Sequence, residues 1–185
     1  MNLVFFLEEP SARELLRGLL PRILPKGVTP HYIVFEGKQD LEKQLPGKMR
    51  GWRMPDSRFV VLRDQDSGDC FRIKSKLCAL CEGAGHSDAV VRVACRELEA
   101  WYFGDLASVG AVVEIGNLER NERKQLYRAP DDIVNPAREL DRLTKGQYQK
   151  IAGSRALGPI LRIEENRSPS FGVFVSSVRK LVGQD

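Results

Sequence analysis

The sequence predicts an α/β fold: a mostly parallel four-stranded sheet flanked by helices, with a helical C-terminal extension. Three observations carry this. Short apolar runs near residues 3–7, 31–35, 58–62 and 89–94 are separated by longer charged, amphipathic stretches, the alternation expected of βαβ units. The first three runs are almost continuously apolar, as strands covered on both faces are. Beyond about Asn117 the strand signal stops, and short helical stretches at 119–127, 136–144 and 170–181 replace it.

Each element has its own signal. Residues 3–7, rich in Val and Phe, end at Glu8-Glu9-Pro10. Ser11-Ala12-Arg13-Glu14 has the capping-box spacing, and Leu15, Leu16, Leu19 and Leu20 then share one helical face. Pro21 and Pro25 end or kink that helix. The second strand runs from His31 through Tyr32, Ile33 and Val34 to Phe35, and Gly37 breaks it. Residues 38–53 read as a helix interrupted near Pro46-Gly47. The third strand, 58–62, leaves through Arg63-Asp64-Gln65-Asp66-Ser67-Gly68-Asp69. The following helix should turn Phe71, Ile73, Leu77 and Leu80 inward and close at Gly83 and Gly85. A fourth strand covers 89–94, and 96–103 is helical around Leu98, Trp101 and Tyr102, with Trp101 in the core. Gly153-Ser154-Arg155 reads as a loop, and Ser168 as the cap of the last helix, with Pro169 in its first turn.

The 185 residues are 42% hydrophobic and 29% charged, enough for one domain with a buried core and too apolar for a mainly disordered chain. We expect a single domain over 1–185, with an α/β core in 1–116 and a basic helical extension, 117–185, packed on it. No apolar run approaches the roughly 20 residues of a membrane helix. The opening stretch lacks a basic leader, so a cytoplasmic location is expected, with the four cysteines as thiols. Residues 1–116 carry 16 basic and 16 acidic side chains; residues 117–185 carry 13 and 9, which supplies the whole net charge of +4. Such asymmetry suits either a polyanionic partner or a well-solvated helical surface.

The chemistry should lie where the strands end, because parallel sheets bind ligands beyond their carboxyl ends. Glu8 leaves the first strand there, and Asp64 and Asp66 leave the third. In an extended segment two residues apart, the aspartates would point to one side. Three like charges in one place call for a cation, and Mg²⁺ or Mn²⁺ suits oxygen ligands and a substrate phosphate. An ordinary acidic turn is the plainer reading of Asp-x-Asp alone. Glu97 and Glu99 follow the fourth strand. If that segment is helical only one can face the site; if the strand persists, both can; a helix N-terminal role is the alternative. Lys150, Ser154 and Arg155 would clamp a phosphate or lie in a solvated loop. Cys78-x-x-Cys81 has zinc-ligand spacing but falls within a helix, where the two merely share a face. There is no GxxxxGK[ST] loop for ATP, and neither His31 nor His86 sits in a catalytic motif.

The blocks LEEPSARELLRGLLPRIL, FVVLRDQDSGDC, CRELEAWYFGD, YQKIAGSRALGP and NRSPSFGVF resemble, in this order, a bacterial family known as domain of unknown function 4276. That family is grouped with the Toprim-like folds of primases, type II topoisomerases and overcoming-lysogeny-defect nucleases. The resemblance implies Mg²⁺-dependent phosphodiester chemistry on nucleic acid. Glu8, Asp64 and Asp66 would be the catalytic and metal-holding carboxylates, with Glu97 or Glu99 completing the shell. It also implies work beside an ATPase partner in phage defence. One departure stands out: the usual Glu-Gly step after the first strand is Glu8-Glu9 here. That substitution favours the rival expectation, a non-catalytic module of the same fold that binds a partner without cutting.

Overall fold

The computed structural model describes residues 1–184. Its four strands, β1 (Asn2–Leu7), β2 (Thr29–Val34), β3 (Ser57–Asp64) and β4 (Val90–Ala94), form one all-parallel sheet in the order β2-β1-β3-β4. Helices α1 (Pro10–Leu19), α2 (Lys38–Gly51) and α3 (Cys70–Gly83) make the crossovers. The inner strands are buried on both faces, which is why their sequence is continuously apolar.

Alternation along the strands divides the core in two. Leu3, Phe5 and Leu7 of β1 and Val60 and Leu62 of β3 face α1, with its buried Leu15, Leu16 and Leu19. Val4, Phe6, Phe59 and Val61 face α2 and α3 through Leu41, Leu45, Met49 and Leu77. The chain after β4 adds to the first of these faces. Helices α4 (Glu99–Phe103), α5 (Leu106–Val112), α6 (Pro136–Leu143), α7 (Lys150–Leu157) and α8 (Pro169–Leu181) bring Trp101, Leu106, Leu140, Leu157, Phe171 and Phe174 onto the α1 side.

Several expectations are corrected. Residues 38–51 form one helix with Pro46 inside it: Leu41, Leu45 and Met49, four apart and fully buried, outweigh the lost proline bond. Ser11 does not open a capping box. Pro10 takes the first helical position, Glu9 the cap position, and the Ser11 hydroxyl donates to Glu9 Oε1 at 2.6 Å. Phe71 is 82% exposed. It stands six residues from Leu77, out of phase with the stripe of Ile73, Leu77 and Leu80. Residues 118–127 make two 3₁₀ turns rather than a helix, and Gly153-Ser154-Arg155 lies within α7 rather than in a loop. Ser168 does cap α8, accepting from the Phe171 amide at 3.3 Å, and Trp101 is fully buried. Among the described residues no helix is long and apolar enough to cross a membrane.

Candidate functional site

The strand order sets the place. From β1 the chain crosses to β2 on one side, then returns past β1 to β3 on the other. The carboxyl ends of β1 and β3 therefore flank a switch point, where open parallel sheets leave a crevice. Glu8 follows β1 directly, and Asp64 is the last residue of β3, which runs two residues further than the sequence suggests.

Glu8 is fixed by the sheet itself. Its amide donates to the Leu62 carbonyl at 3.3 Å, and its carbonyl accepts from Gly37 at 3.0 Å. Its side chain reaches across to β3, where Oε2 accepts from the Asp64 amide at 3.0 Å. Arg63 Nε lies 3.8 Å from the same oxygen, while its Nη1 binds Glu42 at 2.6 Å. Burial raises the Glu8 pKa; the Asp64 amide opposes this, and the negative charge of Asp66 adds to it.

Asp64 is buried, and no hydrogen-bond donor among the described residues reaches its carboxylate. Its pKa is pushed well above the ordinary value, first by burial, then by the charges of Glu9, Glu99 and Glu8, with Lys150 opposing. Glu99, at the start of α4, has no exposed surface. Its Oε1 accepts from the Tyr148 hydroxyl at 3.1 Å, and its Oε2 is buried with no partner among the described residues. Burial raises its pKa, and Lys150 opposes. Lys150 opens α7 and places Nζ 2.8 Å from Glu9 Oε2. Burial works against its charge, but Glu99, Glu9 and Asp64 outweigh that and raise its pKa, so it stays a cation. The group is thus a carboxylate cluster, Glu8, Glu9, Asp64 and Glu99, balanced by one lysine.

The other candidates are placed differently. Asp66 does not point with Asp64. Its backbone is left-handed, with φ 55°, so the chain has already turned; Oδ2 pairs with Lys38 Nζ at 2.8 Å. Among the described residues, no three acidic, histidine or cysteine side chains stand close enough to ligate one ion together. The direct three-carboxylate arrangement of Glu8, Asp64 and Asp66 is therefore corrected. Glu97 accepts from the Ala137 amide at 2.8 Å, in the first turn of α6. It lines a crevice of about 170 Å³ with Asp66, Ser67 and Asn135. Of the pair, Glu99 faces the cluster and Glu97 faces α6. Ser154 is fully buried, accepts from the Tyr102 hydroxyl at 2.7 Å and donates to the Lys150 carbonyl at 2.6 Å. Its role is to hold the first turn of α7, not to touch a phosphate. Arg155 is spent on the buried Glu14, at 2.7 Å. The four cysteines are free, and Cys78 and Cys81 lie on α3 as its pattern requires.

Sequence reasoning missed Tyr148 and Lys38. Nothing in their local pattern marks them, because their partners are 49 and 28 residues away. Glu9 carried a signal, as the acid standing in the place of glycine.

The donor types are those a hard divalent cation takes, although no three of them converge on one point among the described residues. The set is all carboxylate oxygen, it includes the buried orphan Glu99 Oε2 and the unbonded Asp64, and Mg²⁺ needs only one or two carboxylates when water and phosphate fill the remaining positions. A family model described as Domain of unknown function (DUF4276) matches residues 7–179. Searches of the curated proteins and of the solved structures return no match.

Proposed function

The chain belongs to the family described as Domain of unknown function (DUF4276), and on that premise we propose that it processes phosphodiester bonds of nucleic acid with Mg²⁺ or Mn²⁺. The kinship with Toprim-like folds is part of this proposal: a glutamate follows the first strand and an aspartate ends the third, at the expected motif positions. One observation carries the reading above the others. Glu8, Asp64 and Glu99 gather at the switch point of a parallel sheet, and burial and like charge raise the pKa of all three. Asp64 and one oxygen of Glu99 carry no internal partner among the described residues, which leaves them available to a cation.

Glu8 and Asp64 would hold the ion directly, with Glu99 and Asp66 reaching it only through bound water, since no three of these side chains converge. A bound cation supplies Lewis-acid polarisation of the phosphoryl oxygen and a water of lowered pKa. The chain's own residues do the rest. The Asp64 amide and Arg63 fix Glu8, and the Tyr148 hydroxyl orients Glu99. Lys150, held protonated, offers the transferring phosphate a positive charge once it leaves Glu9. An ATPase partner and a place in phage defence rest on resemblance and belong to the same proposal.

A second reading has its own observation. Lys150 on Glu9 and Lys38 on Asp66 neutralise two acids from within the chain, as a non-catalytic module of this fold would. One assay separates the two. Labelled DNA and RNA, single- and double-stranded, are incubated with the protein, alone and with a cognate ATPase, in Mg²⁺, Mn²⁺ or EDTA. Metal-dependent cleavage is expected, reduced about a hundredfold or more in folded Asp64→Asn. Cleavage unchanged by that substitution, or no cleavage and no metal binding in either setting, overturns the proposal in favour of the binding module.

A further inference from the structure

We infer that the open edge of β4 is a docking site for an extended acidic peptide segment of a protein partner, which adds to the sheet as a fifth strand. The inference does not depend on the chemistry proposed at the other strands' ends.

The backbone comes first. β4 is the last strand in the order and pairs only with β3. The Gln65 amide donates to the Ala94 carbonyl at 2.9 Å. In a parallel ladder successive residues turn their amide and carbonyl to opposite sides. Ala94 and Arg92 therefore face β3, and Val91 and Val93 face outward. The Val91 carbonyl takes Arg92 Nη1 at 2.7 Å, but Val93 offers a donor and an acceptor with no partner among the described residues. The opposite edge is guarded. The Thr29 amide bonds to Met1, so Pro30, which has no N–H, sits on the outward side of β2. β4 has no proline, and its guard is partial: Arg92, which caps the Val91 carbonyl and donates from Nε to the Ser177 hydroxyl of α8 at 2.6 Å, leaves Val93 open.

The edge also lies at the bottom of a cleft. Two adjoining cavities, about 650 and 280 Å³, share Arg92, Pro169 and Val173 and run along β4 between α3 and α8. Val90, Val91 and Val93 form the floor, and Val173, 53% exposed, forms part of the wall. An added strand would find apolar surface for alternate side chains and main-chain partners for its backbone, the arrangement of β-strand addition.

Charge selects the occupant. Lys74, Arg92 and Lys180 line the cleft, and none of them pairs with a carboxylate among the described residues. The acid that lines it, Asp131, is already held by the Ser168 hydroxyl and the Ser170 amide. A second copy of this chain, pairing β4 to β4, would bring six cations together, and like charges placed so are repelled. A strand with alternating apolar residues and acids between them meets both features.

The test uses the full chain and a fluorescein-labelled peptide, Thr-Val-Glu-Val-Asp-Val-Thr, against the same peptide with lysine in place of both acids. Fluorescence anisotropy should show the acidic peptide binding about tenfold tighter or better. Val93→Pro removes one outward donor and leaves the β3 ladder intact, so the fold should survive while binding falls about tenfold. Arg92→Glu should shift the preference toward the lysine peptide. If Val93→Pro does not fold, the acidic peptide N-methylated at alternate amides replaces it and should bind about tenfold more weakly than the parent. Three results overturn the inference: no binding of the acidic peptide, equal binding of both peptides, or a wild-type dimer in sedimentation that Val93→Pro abolishes, which would assign the edge to a second copy.

Discussion

Asp64 ends β3 as a buried carboxylate without a hydrogen bond, and that makes its replacement informative before any activity is measured. Its pKa is raised in the folded chain, so the folded state holds the proton more tightly than the unfolded one. The sign follows: the metal-free chain gains from Asp64 below its ordinary value of 3.8 and loses that gain as pH rises toward the raised folded value. Asp64→Asn removes the charge and keeps the shape. Without metal it should raise stability near neutral pH by about 1 kcal/mol, or roughly 2–4 °C in melting midpoint. The gap from wild type should widen from pH 4 to pH 7. Added Mn²⁺ should raise the wild-type midpoint and leave Asp64→Asn unmoved. A constant gap across pH would show that Asp64 carries no buried charge. Asp105 should behave oppositely. Burial pushes its pKa up, but Arg162, the Ser108 hydroxyl and two backbone amides more than offset this and hold it below 3.8. Its stabilisation is present above 3.8 and lost as pH falls through the depressed value, so Asp105→Asn should cost stability at neutral pH and progressively less in acid melts. At this scale Glu8 and Asp64 were legible, because a strand's end is visible in sequence. Asp66 was not, since a left-handed residue one step past Gln65 leaves no pattern in composition.

At the level of elements, the seam between α1 and α7 decides where Lys150 stands. Arg22 Nη1 donates to the carbonyls of Gly158 and Leu161, at 3.1 and 2.7 Å, and Arg155 holds Glu14. The helices touch at glycine. A Cβ on Gly18 would lie 2.5 Å from Pro159 Cδ and 2.6 Å from its nitrogen. Helix propensity alone predicts that Gly18→Ala stabilises by about 1 kcal/mol; overpacking against a backbone that cannot retreat costs about 1–3 kcal/mol. The contact should win, and Gly18→Ala should lower the melting midpoint and push α7, with Lys150, away from Glu9. Gly47→Ala is the internal control. Gly47 lies inside α2 with nothing within 4 Å of its Cβ position, so there the propensity gain of about 1 kcal/mol should appear undiminished. If both substitutions stabilise, the seam is looser than these distances state. The strands and their helices were readable because each has a local period. α5 and α7 were not, because Leu106, Leu157 and their neighbours are too few to set a period, and tertiary burial makes them helical.

Across the whole molecule, the charge asymmetry survives folding but changes address. The net +4 of residues 117–185 suits a polyanionic partner, with Lys150 and Arg155 among the cations that could meet its phosphates. Folding commits several of those cations to partners: Arg155 to Glu14, Arg162 to Asp105, Arg167 to Glu122 and Arg179 to Glu164. Within residues 117–184, exposed cations outside such pairs include Arg120, Arg123, Lys124 and Arg128, in and beside the 3₁₀ turns that precede α6. Sequence counts charge and cannot count pairing, so it did not show that Arg155 is held by Glu14. If nucleic acid is the substrate, each phosphate contact releases condensed counterions, and the salt dependence of affinity counts the contacts. Substituting Arg120, Arg123 and Lys124 together by alanine should weaken binding of a labelled oligonucleotide and make the slope of log affinity against log salt shallower by roughly two to three units. Arg155→Ala should leave that slope unchanged and lower stability instead, because it strips a partner from the buried Glu14. A titration of wild type, triple variant and Arg155→Ala on one oligonucleotide reads both effects. Equal slopes in wild type and triple variant would return those turns to ordinary surface solvation, and a shallower slope in Arg155→Ala would restore the α7 path that the Glu14 pair argues against.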